Sequence, residues 1–197
     1  MLIECGKLFG AFPTDIGKYN VEISYIYYNL KNGSVYENSR TFYFEIVKAD
    51  PTYIVPTGLT ATYGDVLASV MLPDDWTWKD STQSVGNAGN NTFKAKFTPD
   101  DTEHYNIITD IDVSVAVSKA NPVYTVPTGL TATYGDTLTN VTLPIGWTWA
   151  DNTQNVGSVG NHTFKAAFTP ADTNNYNLVT DVDISVAVNK RPVNIIW

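Results

Sequence analysis

The chain has 197 residues, with 12 Lys and Arg against 20 Asp and Glu, which gives a formal net charge of −8. Because no segment is basic, this composition argues against a nucleic-acid or anionic-membrane partner. Charged residues make up 16% of the chain and aromatic residues 13%, which is typical of folded β-rich proteins and not of disordered ones. The single Cys5 excludes an internal disulfide. No apolar run approaches the roughly 20 residues of a spanning helix, so we predict no membrane insertion.

Residues 1–50 are predicted to form a divergent or partial β module, the back half of a repeat. The strand-like segments Lys18–Tyr28 and Ser39–Lys48 flank the turn signal Asn32-Gly33. A half unit would expose unpaired strand edges. We therefore expect residues 1–50 either to fold as a small independent sheet or to self-associate through those edges. Met1–Gly10 lies outside the pattern.

Residues 51–121 are repeated by residues 122–192. The segment Pro56–Asp65 recurs 71 residues later as Pro127–Asp136, and about two thirds of the aligned positions are identical. Self-similarity at a fixed period predicts two successive copies of one structural unit. Residues 193–197 are then the start of a following unit or a tail.

Within the first copy, alternating apolar and polar residues predict half-buried strands at Asn91–Thr98 and Asp110–Ser118. Trp76–Trp78 predicts a third strand with both indoles on one face. Shorter candidates are Tyr53–Val55, Leu59–Tyr63 and Leu67–Leu72, separated by Gly and Pro. We therefore predict an all-β fold of tandem small antiparallel β-sandwich modules, immunoglobulin-like and arranged end to end, with five to seven short strands each.

The turn that follows Pro99 has a pattern of its own. Proline cannot donate to a sheet, so the strand is expected to end there. Asp101 and Thr102 are expected to accept hydrogen bonds from the following backbone. Tyr105 is expected to place its ring in the core and its hydroxyl on the backbone at the corner of the sheet.

Two tryptophan pairs are the best candidates for a ligand-binding surface: Trp76, Trp78, Trp147 and Trp149. Indoles two residues apart on a strand could stack on sugar rings. The alternative is that they fill the core, as large aromatic side chains usually do. The core interpretation is the one we favour.

Acidic residues also cluster near one end of each copy. They are Asp100, Asp101, Asp110 and Asp112 in the first copy and Asp172, Asp181 and Asp183 in the second. Calcium takes six to eight oxygen ligands. However, Asp100 aligns with Ala171 and no D-x-D-x-D-G loop is present, so we predict neither a metal site nor a cofactor.

Catalytic patterns are absent from the sequence. His104 aligns with Asn175 and His162 with Asn91, so neither histidine belongs to a site that both copies share. No nucleophile motif, phosphate loop or metalloprotease motif is found. We therefore predict that the chain is not an enzyme.

A covalent staple between side chains is a further alternative. Some surface sandwiches carry a Lys–Asn isopeptide cross-link. Lys94 and Lys165 alternate with inward Phe residues and are expected to point outward. We therefore interpret them as solvated lysines that discourage edge pairing.

The strings VPTGLTATYGD, WTW and TFKA, present in both copies, resemble tandem immunoglobulin-like (MBG-type) repeats of Gram-positive bacterial surface proteins. The resemblance implies an extracellular, cell-surface location, with signal and anchor outside this chain. It also implies a non-catalytic structural spacer or stalk, part of a secreted protein or adhesin. The short linker Lys119–Pro122 favours such a role, because few residues and a proline restrict freedom between units. The alternative function is a multivalent module that binds a host or cell-wall glycan or protein through the paired tryptophans.

Overall fold

The computed structural model describes residues 3–4 and 13–193, and these residues form an all-β structure without an α-helix. The first three strands are β1 (Ile3–Glu4), β2 (Gly17–Tyr28) and β3 (Val35–Ile46). The first full repeat contains β4 (Leu59–Thr62), a 3-10 helix (Leu67–Ser69), β5 (Trp76–Trp78), β6 (Gly89–Phe97) and β7 (Ile108–Ser118). The second contains β8 (Leu130–Thr133), a 3-10 helix (Leu138–Asn140), β9 (Trp147–Trp149), β10 (Gly160–Phe168) and β11 (Val179–Asn189).

The contacts between residues divide the chain into two compact units. The first unit comprises the chain up to Val55 together with Pro73–Lys79 and Lys94–Ile111. The second comprises Pro56–Leu72, Asp80–Phe93 and the chain from Asp112 onward. The division therefore passes through residues 51–121.

The first unit contains a three-stranded sheet in the order β1-β2-β3. Strands β2 and β3 pair antiparallel over their full length, from Gly17 opposite Ile46 to Tyr28 opposite Val35. The loop between them includes Gly33 at φ 71°, a conformation that favours glycine. The predicted strand–turn–strand arrangement of this segment is confirmed. The predicted strand from residue 39 begins earlier, at Val35.

The two full repeats have the same sheet topology, because their four-stranded sheets run β4-β7-β6-β5 and β8-β11-β10-β9. The prediction of entirely antiparallel modules is wrong at one pair in each repeat. Strand β4 pairs parallel with β7, with Leu59 opposite Val115, and β8 pairs parallel with β11. Residue alternation records which face a side chain takes but carries no strand direction. A parallel pair needs a long crossover, and the chain between β4 and β7 supplies it.

Two predicted strands are also wrong, and the sheet of each full repeat has four strands where five to seven were expected. Residues 53–55 form no strand, since Pro51 and Pro56 on either side lack the N–H that sheet pairing needs. The segment from Leu67 forms a 3-10 helix that ends at Ser69, and both Leu67 and the following Val70 are buried. Its apolar residues are therefore three apart, which suits a 3-10 turn and not a strand.

The alternating strands behave as the sequence predicts. In β7 the side chains of Val113, Val115 and Val117 are buried while their neighbours are exposed. In the second repeat the equivalent Ile184, Val186 and Val188 are buried. They join two clusters that form its core: Ala132, Leu138, Val141, Val156, Phe164, Val186 and Val188, and then Trp147, Ala166 and Ile184.

A β-bulge interrupts the pairing of β10 with β11. The register shifts between Ala166 opposite Val182 and Phe168 opposite Val179. Asp181 lies in the bulge with a left-handed backbone, at φ 59°. Asp110, its equivalent in the first repeat, has φ 61°. Aspartate tolerates this conformation better than most residues, which explains the residue type at both positions.

Candidate functional site: the seam between the two full repeats

The first tryptophan of each pair lies in the core of its repeat. Trp76 is 8% exposed and packs edge-to-face on Tyr53, with ring centroids 5.7 Å apart. Trp147 is also 8% exposed and packs on Tyr124 in the same way, at 5.6 Å. An indole enclosed in this way has no free face on which a sugar could stack.

The second tryptophan of each pair is half-buried, on the same face of its strand as the first. The indole N–H of Trp149 donates to the carbonyl of Val141 at 3.0 Å, and its ring packs edge-to-face on Phe164. A shallow cavity of about 260 Å³ lies beside it. Any ligand contact of these pairs would therefore fall to Trp78 and Trp149.

The acidic residues at the end of the first repeat are engaged locally. Asp101 Oδ1 accepts hydrogen bonds from the backbone N–H groups of Glu103 and His104, as the sequence predicts for this turn. Its Oδ2 lies 2.8 Å from His104 Nδ1. These bonds, the His104 side chain first, lower the pKa of Asp101. In the described part of the chain, no group of three or more His, Cys, Asp or Glu side chains could hold a metal ion.

The outward lysines Lys94 and Lys165 bond to acidic segments at the protein surface. Lys165 Nζ lies 2.7 Å from Asp183 Oδ1 and donates to the carbonyl of Asp181. Lys94 donates to the carbonyl of Asp110, whose carboxylate pairs with Lys79. The Lys79 ammonium lowers the pKa of Asp110, chiefly through its hydrogen bond. Lys94 and Lys165 are exposed, which confirms their predicted direction.

The linker Lys119–Asn121 lies against the turn Asp172–Asn177 of the second repeat, which we call the second corner. Ala120 donates its backbone N–H to the carbonyl of Asn175 at 2.9 Å, and its carbonyl accepts from Asn177 N–H at 2.9 Å. Lys119 Nζ donates to the carbonyl of Thr173 at 2.7 Å. The linker is therefore fixed to the corner by main-chain bonds and is not a free tether.

Asn175 connects the second corner to the body of the first repeat. Its Oδ1 accepts from the backbone N–H of Ala88 at 2.8 Å. Its Nδ2 donates to Asn87 Oδ1 at 3.2 Å and to Asp172 Oδ2 at 2.9 Å. Asn175 is only 6% exposed. A buried amide with these partners satisfied holds one relative position of the surfaces that it joins.

Two further contacts complete this junction. The rings of Tyr63 and Tyr176 pack edge-to-face, with centroids 5.3 Å apart. Asn177 Nδ2 donates to Asn121 Oδ1 at 2.9 Å. We call the whole junction the seam. It joins Tyr63, Asn87, Ala88 and Lys119–Asn121 of the first repeat to the second corner, and all of these residues belong to the second compact unit.

The same linker geometry occurs at the first corner, Asp101–Asn106. Ala49 donates to the carbonyl of His104 at 2.9 Å and accepts from Asn106 N–H at 2.8 Å. Lys48 Nζ donates to the carbonyl of Thr102. Tyr105, expected in the core, is instead 40% exposed. It is the equivalent of Tyr176 in the seam, and its backbone bridges to the linker residue Ala49.

Sequence reasoning identified the linker but missed the residues that bind it. Pro122 predicted a stiff linker, and the structure shows that main-chain hydrogen bonds to the second corner hold the linker in place. The available signal was the Asp-Thr-x-x-Tyr-Asn pattern, present in both copies beside a Lys linker. Asn175 gave no such signal, because its equivalent is His104. Chemically, the contacts across the seam come from amide groups, a pair of tyrosine rings and the Lys119 ammonium, which together can hold the two repeats against each other.

Among the described residues, no helix has the length and apolar character needed to cross a membrane. The comparisons with known proteins gave no match to this chain, neither to a family model, nor to a curated protein, nor to a solved structure.

Proposed function

We propose that this chain is a non-catalytic structural spacer, a run of small β modules that holds another part of a bacterial cell-surface or secreted protein at a fixed distance. The observation that carries the proposal is the seam. A spacer needs joints that resist bending, and the buried Asn175 supplies one through two hydrogen bonds to the first repeat, while a third, to Asp172, holds its side chain in place.

The resemblance to MBG-type repeats supports the same role and location. It also suggests that each repeat belongs to the immunoglobulin-like sandwiches. Stacked repeats gain stability from the interfaces between neighbours, and the seam is such an interface. A glycan-binding role through the tryptophans is less supported, because Trp76 and Trp147 are enclosed by aromatic neighbours.

The spacer proposal predicts that Asn175→Ala loosens the seam. The substitution leaves the backbone N–H of Ala88 and Oδ2 of Asp172 without the Asn175 side chain, and an unsatisfied buried group costs about 1–3 kcal/mol. ¹⁵N relaxation should show one tumbling time for β4 and β8 in the natural chain and independent motion in the variant. Urea unfolding should show the loss of stability.

The matched control is Asn174→Ala, since Asn174 is an exposed asparagine beside Asn175. This control should leave both the relaxation and the urea midpoint unchanged. If β4 and β8 already tumble independently in the natural chain, the junction is not rigid and the spacer proposal fails.

A further inference from the structure

The second repeat carries a surface whose residues are the sequence equivalents of those that the seam covers on the first repeat. This end face lines a cavity of about 570 Å³ and consists of Tyr134, Val159, Lys190, Arg191, Pro192 and Val193. At the repeat distance of 71 residues, Tyr134 is the equivalent of Tyr63 and Val159 of Ala88. Lys190 and Arg191 are equivalent to Lys119 and Ala120.

We propose that the end face is a docking surface for the corner of a further β unit of this repeat type, joined after the second repeat. The inference deepens the proposed spacer function. It rests on the seam, in which the chain itself shows what covers this kind of surface. Tyr176 packs on Tyr63 there, whereas the equivalent Tyr134 is 55% exposed.

The groups needed for docking are largely retained. Tyr134 offers the same aromatic ring as Tyr63. The backbone N–H of Val159 is the equivalent of the Ala88 N–H, which donates to Asn175. The backbone of Arg191 is the equivalent of that of Ala120, which both donates and accepts. Arg191 also keeps its guanidinium within 3.5 Å of Asp136 Oδ1, so its charge has a partner on its own repeat.

Two side-chain bonds of the seam cannot be repeated in the same form. Asn87 and Asn121 are replaced by Ser158 and Pro192 at the end face. The proline side chain has no oxygen that could accept a hydrogen bond from an asparagine. The occupant is therefore held by main-chain bonds and by the tyrosine pair. We expect this second seam to be weaker than the first.

The corner of a second copy does not fit the same surface. In the seam, the carbonyl of Asn175 binds Ala120 while its side chain binds Ala88. A docking face must therefore offer the equivalents of both Ala120 and Ala88 to the same corner. At the first corner the place of Ala120 is already taken by Ala49. Only a corner that still lacks its linker can accept the end face, as in a unit that follows Val193.

The test is a chain in which residues 194–197 are replaced by a further copy of residues 123–193, which keeps the repeat distance of 71 residues. Hydrogen exchange at the amide of Val159 should slow by about tenfold compared with the natural chain, as expected for one new hydrogen bond. Asn175→Ala within the added copy should abolish this protection. Asn174→Ala within the added copy should leave it in place.

A second variant tests the end face without an added unit. The natural chain with N87S, A88V, A120R and N121P carries the end-face residues at the existing seam. The amide of residue 88 should stay protected against Asn175. Loss of that protection would overturn the proposal, because these residues would then be unable to accept a corner.

Two other outcomes would also overturn it. One is unchanged exchange at Val159 in the extended chain while the strands of the added copy are themselves protected. The other is protection at Val159 in the natural chain that rises with protein concentration, since a second copy would then occupy the end face. Neither outcome touches the Asn175 relaxation result, so the two proposals fail separately.

Discussion

At the scale of single residues, the two repeats carry different residues at the same left-handed backbone position, directly before the strand that holds the tryptophan pair. Asp75 has φ 70°, and its equivalent Gly146 has φ 87°. Both carbonyls accept from the threonine that follows the next long strand, Thr98 or Thr169. A Cβ at Gly146 would lie 3.0 Å from the Phe168 ring and 3.1 Å from the Thr169 carbonyl. The position therefore favours glycine for backbone and for space.

We predict that Asp75→Gly raises the free energy of unfolding by about 1 kcal/mol, because it removes the cost of a left-handed non-glycine residue. The reciprocal change, Gly146→Ala, should lower it by about 1–2 kcal/mol through the same strain. Urea unfolding followed by tryptophan fluorescence measures both. A destabilised Asp75→Gly variant would show that the aspartate side chain contributes more than its backbone costs.

At the scale of elements, the β2–β3 hairpin differs from the strands of the full repeats. Its two strands match β6 and β7 in order, yet nearly all of β3 is exposed. Cross-strand aromatic pairs support it, since Tyr27 stacks on Tyr36 and Tyr19 on Phe44. In the full repeats the strand equivalent to β3 also pairs with a short parallel strand. Among the described residues, β3 is the outer strand of its sheet.

We predict that this outer strand drives concentration-dependent self-association. Phe42 is 53% exposed and Tyr43 is 80% exposed, and an apolar outer strand favours edge pairing between chains. Replacing both with lysine should shift light-scattering mass toward the monomer, because like charges oppose edge pairing. Lysines at the exposed Ile54 and Met71, away from the hairpin, serve as the matched control. A natural chain that stays monomeric at high concentration would contradict this prediction.

At the scale of the whole molecule, acid should destabilise the fold through its aspartates. Within the described residues, four carboxylates have a pKa held below the ordinary value: Asp80, Asp101, Asp110 and Asp151. The leading cause is a side-chain hydrogen bond in each case, from Thr82, His104, Lys79 and Thr153 respectively. Each carboxylate therefore binds a proton less readily in the folded chain than in the unfolded one.

The sign of the pH effect follows from this difference. A lowered folded pKa contributes stability that is fully present above the ordinary value of 3.8 and is lost as the pH falls through the folded pKa. Urea midpoints should therefore be highest near neutral pH and fall below about pH 4. Thr82→Val combined with Thr153→Val removes the hydroxyl donors to Asp80 and Asp151, and should reduce the acid loss. If the urea midpoint of the double variant falls as much in acid as that of the natural chain, other groups cause the loss of stability.

The sequence alone determined the repeat, the all-β fold and the buried faces of the long strands. These features follow from local patterns: a period of 71 residues, strict alternation, and prolines that end strands. The direction of the valines in β7 and of the lysines in β6 needed nothing more. The position of the turn at Asp101 was also determined locally, because aspartate accepts hydrogen bonds from the backbone that follows it.

Only the tertiary structure decided the parallel pairing of β4 with β7 and the seam. Both depend on which distant segments meet, and alternation carries neither strand direction nor partner. Asn175 shows the reason most plainly. Its sequence neighbours place it in an ordinary turn, yet its amide is buried against Asn87 and Ala88, almost half the chain away. The same turn in the first repeat carries His104, which bonds to Asp101 instead, so even the repeat did not reveal the role of this position.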